Sequence, residues 1–358
     1  MHVSELTRRA FGALAAAAFA VAAVPALAQT KPKVSFIYVG PVGDMGWSYQ
    51  HHQGLEAIKK EFGDKIETNF VENVPEGPDA ERVIDQLAAT GSNLIFTTSF
   101  GFMNPTIKVA TRYPNVKFEH ATGFKQAANV ATYNARFYEG RHVIGLIAGK
   151  LTKTNTIGYI ASFPIPEVVM GINAAYLAAK SVNPNVKMKV VWVSTWFDPG
   201  KEADAAKAHI DQGCDIIVQH TDSPAALQVA QERDLMAFGQ SSDMRKFAPD
   251  AQLTAIVDDW NGYYIGRVKA VLDGTWESQG VWLGLKDGTV EIAPYGPKVT
   301  PEAAKAGDEV KAAIISGSLH PFTGPITDRD GKERLAAGQM MSDEDLAKMD
   351  WYVPGVTA

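Results

Sequence analysis

The sequence predicts an α/β fold of two doubly wound parallel-sheet lobes joined by hinge strands. Three observations carry that prediction. Short apolar runs of strand length alternate with helical patterns along most of the chain, which is the grammar of parallel sheets covered by helices on both faces. The alternation stops and restarts near residue 137, giving a second series of the same kind. No Pro/Gly/Ser-rich or low-complexity stretch separates the two series, so short crossing strands forming a hinge are expected between the lobes.

The first series opens with the strand VSFIYVG (34–40), a loop, and a helical pattern from about Ser48 to Phe62. IETNFVENV (66–74) reads as the next strand; GPDAERVIDQLAATG follows as a helix entered through Pro78-Asp79 and stopped at Gly91. NLIFTTS (93–99), a helix near 103–112, VKFEHAT (116–122) and VATYNARF (130–137) complete this lobe. The second series runs from a helix over 138–151 through strands TIGYIAS (156–162), KMKVVWVS (187–194), DIIVQHT (215–221) and LMAFGQSS (235–242). Helices are expected between them near 167–182, 200–212 and 223–232. Beyond it, 260–274 looks helical, 280–296 looks like a hairpin turning at Asp287-Gly288, and 301–317 is a helix. The expected division is a first lobe over 29–137 completed by about 260–295, and a second over 138–259 completed by part of 296–358.

The beginning of the chain reads differently. Residues 1–28 carry Arg8-Arg9, an uncharged alanine-rich stretch from Ala10 to Val24, and Pro25-Ala26-Leu27-Ala28. This is the pattern of an export signal with an A-x-A cleavage site, its apolar part too short for a membrane span. LTRRAFGALAA also resembles a twin-arginine signal. The sole cysteine, Cys214, lies far from that site, so neither a lipid anchor there nor an internal disulfide is expected. Cys214 itself reads as a buried structural thiol. The expected product is a soluble periplasmic monomer. Formal net charge is −6 for the whole chain. Loss of two arginines and one glutamate with the signal leaves about −7, which gives no general attraction to nucleic acid or anionic membrane.

Open parallel sheets bind ligands beyond the carboxyl ends of their strands. Trp47 follows the first strand among glycines, Ser99, Phe100 and Gly101 follow the third, and Trp196 follows a strand of the second lobe. A single tryptophan more often fills a gap under a loop. Two at matching strand ends point to a site in which indole rings enclose a flat ligand.

At this point the residues resemble a known family. GDMGWSYQHHQG (43–54), EGRHVIGLIAG (139–149), TWFDPGKEADAAKAHIDQGCDII (195–217) and VWLGLKDGTVEIA (281–293) are similar, in order, to segments of the basic membrane protein family of ABC-transporter solute receptors, which includes purine-nucleoside receptors. The resemblance implies a type I periplasmic-binding-protein fold, a membrane permease as partner, and binding and release without catalysis. It places Asp44, Trp47 and Gly54 on the family's Asp, stacking Phe and helix Gly, and Trp196 on its second stacking Phe.

The departures are informative. Gly239-Gln240-Ser241 stands where nucleoside receptors carry Gly-Val-Asp, Asp258 where they often carry Lys, Thr122 for an acidic residue, and Val39-Gly40 where another acid is lost. Those polar groups suit ribose hydroxyls, and an unpaired buried hydroxyl costs about 1–3 kcal/mol. The expectation is therefore a free purine base, adenine first, held between the tryptophans. Asp258 and Asp243 are candidate acceptors for an exocyclic amino group, and Ser241 and Asn134 complete the candidate set. Alternatives are a purine-nucleoside receptor, a sugar receptor, or an exported nucleoside-hydrolysing enzyme.

No metal or cofactor is expected. His51-His52 are adjacent and point to different helix faces. VGPVGDMG has the spacing G-x-x-G-x-x-G rather than a dinucleotide loop's G-x-G-x-x-G, and no H-E-x-x-H, G-x-S-x-G or P-loop pattern occurs.

Overall fold

A computed structural model describes residues 31–358. The expected export signal lies outside the described residues. The first sheet holds β1 (Lys33–Tyr38), β2 (Glu67–Val71), β3 (Leu94–Thr98), β4 (Lys117–Ala121), β5 (Val130–Ala135) and β11 (Gly280–Leu283) in the order β11-β5-β4-β3-β1-β2. All its pairings are parallel. Alternation sorts its side chains to two buried faces. Phe36 and Tyr38 of β1 pack with Leu55 and Ile58 of α1 (Trp47–Phe62) and Tyr264 of α8 (Asn261–Leu272). Ile37 points the other way, to Ile84 and Leu87 of α2 (Pro78–Ala89) and Val109 of α3 (Met103–Ala110).

The second sheet holds β6 (Thr156–Ala161), β7 (Lys187–Trp192), β8 (Ile216–His220), β9 (Met236–Gly239), β10 (Gln252–Asp258), β12 (Val290–Ile292) and β15 (Val356–Thr357), in the order β12-β10-β9-β8-β6-β7-β15. It is parallel except for β12, which runs antiparallel to β10. One face is covered by α4 (Phe137–Leu151) and α5 (Pro166–Val182), the other by α6 (Pro199–Asp211) and α7 (Ala225–Glu232).

The 280–296 hairpin is corrected. The turn exists, with Gly288 at φ +74° and the Asp287 carboxylate accepting from the Gly284 N–H at 2.9 Å. Its two arms, however, pair in different sheets: β11 lies along β5, and β12 along β10. The arms separate because the Glu139 carboxylate at the start of α4 accepts the Leu285 N–H at 2.8 Å, fixing the crossover at the junction of the sheets. The stretch 260–295 thus divides between the sheets. The chain passes between them at β5–α4, at β10–α8 and at β11–β12.

The remaining chain braces this junction. Helix α9 (Pro301–Ser316) lies on α4, and a two-stranded ribbon of β13 (Ile326–Thr327) and β14 (Glu333–Leu335) precedes the short α10 (Asp343–Leu346). Arg136, between β5 and α4, holds Asp343 through two hydrogen bonds of 2.7 and 2.6 Å, and buried Asn173 of α5 bonds the backbone of Trp351 and Val353. The strand β15 then closes the far edge of the second sheet.

Candidate ligand cleft between the lobes

The carboxyl ends of the two sheets face one another across a narrow slot, a cavity of about 20 Å³. Its lining follows the strand-end rule almost strand by strand. Val39 and Trp47 follow β1, Ser99 and Phe100 follow β3, and Thr122 follows β4. From β5 onward come Phe137, then Ile165 and Glu167 after β6, Trp196 after β7, Asp222 with His220 at β8, and Gln240 with Ser241 after β9.

Both tryptophans reach the slot from opposite lobes, and each is fixed by its indole N–H. Trp47 donates to the Thr98 carbonyl at 2.6 Å and rests edge-on against His51 (4.1 Å between centroids), with Trp260 behind at 5.8 Å. Trp196 donates to a Glu76 carboxylate oxygen at 3.3 Å and lies between Phe163 and His220. That same oxygen accepts from the Gly101 N–H at 3.0 Å and from the Ser99 hydroxyl. Glu76 therefore ties a ring of the second lobe to the strand end of the first.

Two further contacts close the lobes. The Ser242 hydroxyl donates to the Met45 carbonyl. Gly46 lies so near Asp222 that a Cβ there would stand 2.5 Å from its carbonyl oxygen. The glycine beside Trp47 thus allows backbone to approach backbone across the cleft. Gly54, one helical face further on, is in contact with the Tyr264 ring, where no Cβ fits.

Two lining residues adopt a left-handed backbone that side chains disfavour: Thr122 at φ +62° and Ser241 at φ +60°. A β-branched residue there is a genuine outlier, and such strain, about 1–3 kcal/mol each, gathers at binding sites. Thr122 is held by its N–H on the Tyr133 carbonyl at 2.8 Å, and Ser241 by accepting the Asp258 N–H at 2.9 Å.

The electrostatics centre on buried acids. Burial pushes the Glu167 carboxyl up to about 8, against the opposing pull of the Arg141 guanidinium. Burial, with Arg141 adding repulsion, holds His220 well below the usual imidazole range. Asp222 is raised by burial and then by Asp44 and Glu202. Asp44 rises to about 6 because burial outweighs the N–H groups of Gly46, Tyr49 and Ser48 that it accepts.

Of the residues expected from sequence, Trp47, Trp196, Ser99, Phe100 and Ser241 meet in this slot. Asn134 lines an adjoining cavity that shares Phe100, Thr122, Ile165 and Glu167 with it. The others lie outside its lining. Asp44 is not in the lining, because its oxygens cap the first turn of α1 through Gly46, Ser48 and Tyr49. Gly101 spends its N–H on Glu76. Asp243 is tied to Gln252 at 2.6 Å and to the Arg245 N–H at 3.0 Å and borders a separate surface crevice, whereas Asp258 is buried, outside the slot's lining, with neither carboxylate oxygen hydrogen-bonded among the described residues. Sequence reasoning did not single out Glu76, Phe137, Ile165, Glu167, His220 or Asp222. Applying the strand-end rule to SFPIPE and QHTD would have found four of them, Ile165, Glu167, His220 and Asp222.

A family model described as ABC transporter substrate-binding protein PnrA-like matches residues 31–318. The chain belongs to that family. It is the basic membrane protein group that the four sequence segments resemble. A purine-binding protein of Brucella abortus is 59% identical over 329 residues, covering 92% of this chain and 94% of the relative. A putative ABC transporter glucose-binding protein of Haloferax volcanii is 38% identical over 301 residues, 84% of this chain and 76% of the relative. Among solved structures, an ABC transporter solute-binding protein of Aeropyrum pernix superposes with a TM-score of 0.72 at 20% identity, covering 81% of this chain and 92% of that one. The fold of this PnrA-like chain is thus that of the periplasmic binding proteins. Among the described residues no helix is long and apolar enough to cross a membrane.

Proposed function

We propose that this PnrA-like protein is the periplasmic receptor of an ABC importer for a purine, the free base in preference to its nucleoside and adenine first. The observation that carries the reading is the pair of N–H-anchored indoles, Trp47 and Trp196, on opposite walls of one narrow slot. The purine-binding relative at 59% identity supports it. Stacking of a base on an aromatic ring contributes about 1–3 kcal/mol per ring. The lobes close on the base, the closed form docks on a membrane permease, and opening releases it without covalent chemistry.

The test is mass spectrometry of ligand released on denaturing the purified protein, with calorimetric titration of adenine, adenosine, guanine and hypoxanthine. Adenine binding more tightly than adenosine supports the reading; the reverse order assigns a nucleoside. Free base appearing from adenosine would make the protein a hydrolase. The glucose-binding relative motivates a second reading, a sugar receptor, because indoles also stack on pyranose faces. Hexoses displacing adenine, or binding where adenine does not, would establish it.

A further inference from the structure

In the lining of the slot one carboxyl group, that of Glu167, has a buried oxygen that no described residue satisfies. Glu167 stands at the start of α5, in the lining of both the slot and the adjoining cavity. Its Oε1 lies 3.4 Å from His220 Nε2, while Oε2 is buried without a hydrogen-bond partner among the described residues, as is His220 Nδ1. A buried polar atom left unpaired costs about 1–3 kcal/mol, and one in the lining of a cleft is placed where a ligand can supply the missing partner. We propose that the Glu167 carboxyl reads the edge of the bound base, one oxygen donating a hydrogen bond to a ring nitrogen and the other accepting one from the adjacent N–H or amino group. The inference rests on the purine reading above and names the group that orients the ring once the indoles have enclosed it.

A carboxylate only accepts, whereas a carboxylic acid donates and accepts on neighbouring atoms. Purine edges offer the complement, an acceptor nitrogen next to a donor. The surroundings favour the acid. Arg141 of α4 is the facing cation and pulls the carboxyl down, but burial outweighs it; two of its nitrogens donate to the Gln219 carbonyl at 2.8 Å and to the Gln240 side chain. Tyr159 of β6, His220 of β8 and Asp258 of β10 also face Glu167, and none contributes a positive charge, His220 being held neutral by burial. With the carboxyl titrating near 8, the acid form prevails at neutral pH.

The sign of the pH effect follows. The competent form is protonated, so affinity is full below about pH 7 and falls as the pH rises through about 8. When only a fraction of the protein is competent, the apparent Kd rises by the inverse of that fraction, about tenfold near pH 9. Glutamine offers the same donor–acceptor pair without titrating. Adenine is therefore titrated calorimetrically into the wild-type protein, E167Q and E167A at about pH 6.5 and about pH 9, with ligand-free melting of each recorded. The expected result is an approximately tenfold weakening with pH for wild type. E167Q should lie within about fivefold of wild type at the lower pH with no slope, and E167A about 10- to 100-fold weaker. Adenine bound by E167A as tightly as by wild type, or a slope that persists in E167Q, overturns this assignment and leaves the purine reading intact. Wild type taking no purine at either pH overturns both. Should the variants not fold, the wild-type slope decides, and a flat profile refutes the assignment.

Discussion

Gly46→Ala isolates lobe closure from lobe folding. In the closed form the added Cβ would lie 2.5 Å from the Asp222 carbonyl oxygen and 2.7 Å from its Cα and Cβ, all atoms of the opposite lobe. Comfortable contact requires about 3.5 Å, so the lobes must part by roughly 1 Å at this point. Forcing one extra methyl into a packed contact costs about 1–3 kcal/mol. Because the clash exists only when the lobes meet, that cost falls on closure, and the Kd for adenine should rise about 5- to 150-fold. Calorimetry reads the loss. Thermal melting without ligand should move little, since neither sheet nor its helices are disturbed. An affinity within about twofold of wild type would refute the claim that Met45-Gly46 seats against Asp222 during binding.

Other outcomes follow from the same geometry. Trp47→Ala should weaken adenine by about 1–3 kcal/mol, the value of one stacked ring, measured by the same titration. Gly54→Ala pushes a methyl into the Tyr264 ring, which is fully buried and bonded to His51 and Tyr133, so it should lower the urea midpoint by an amount equivalent to about 1–3 kcal/mol. The Asp222 carboxyl is raised in the folded protein by burial, Asp44 and Glu202, so the folded state holds extra protons and loses stability as pH rises from the ordinary carboxylate range. Asp222→Asn should therefore raise the ligand-free melting temperature near pH 8 and change it little near pH 4, about the ordinary value of the group.

How much of this was legible beforehand depended on the range of the signal. The runs VSFIYVG and NLIFTTS announce strands because a sheet buried on both faces demands unbroken apolar residues. Trp47 and Trp196 could be placed because each follows such a run closely. The segment VWLGLKDGTVEIA misled because a turn at Asp287-Gly288 looks alike whether its arms pair together or leave for separate sheets. What separates them is Glu139, about 146 residues earlier, accepting the Leu285 N–H. Asp44 and Asp243 misled for a related reason: an acid after a strand can face a ligand or cap local backbone, and only the partners decide. Glu167 was passed over because its surroundings are set by His220 and Arg141, which approach from another strand and another helix.

The same dependence on distant partners makes Glu76 the most direct test of how the second indole is held. Glu76 follows β2, at the edge of the first sheet, yet one of its oxygens gathers the Gly101 N–H, the Ser99 hydroxyl and the Trp196 indole N–H. The first two bonds lie within the first lobe; the third crosses the cleft. If the crossing bond aims the Trp196 ring at the base, then E76A and W196F disturb one interaction from its two ends, the phenylalanine keeping a ring but losing the N–H. Charge-assisted hydrogen bonds contribute about 1.5–3 kcal/mol, so each single variant should weaken adenine at least tenfold. The double variant should then be little worse than either alone, since residues sharing one interaction are not additive. Effects that simply sum in the double-mutant cycle would mean that Trp196 is positioned by Phe163 and His220 within its own lobe. Glu76 would then be a brace for the Ser99–Gly101 turn and nothing more.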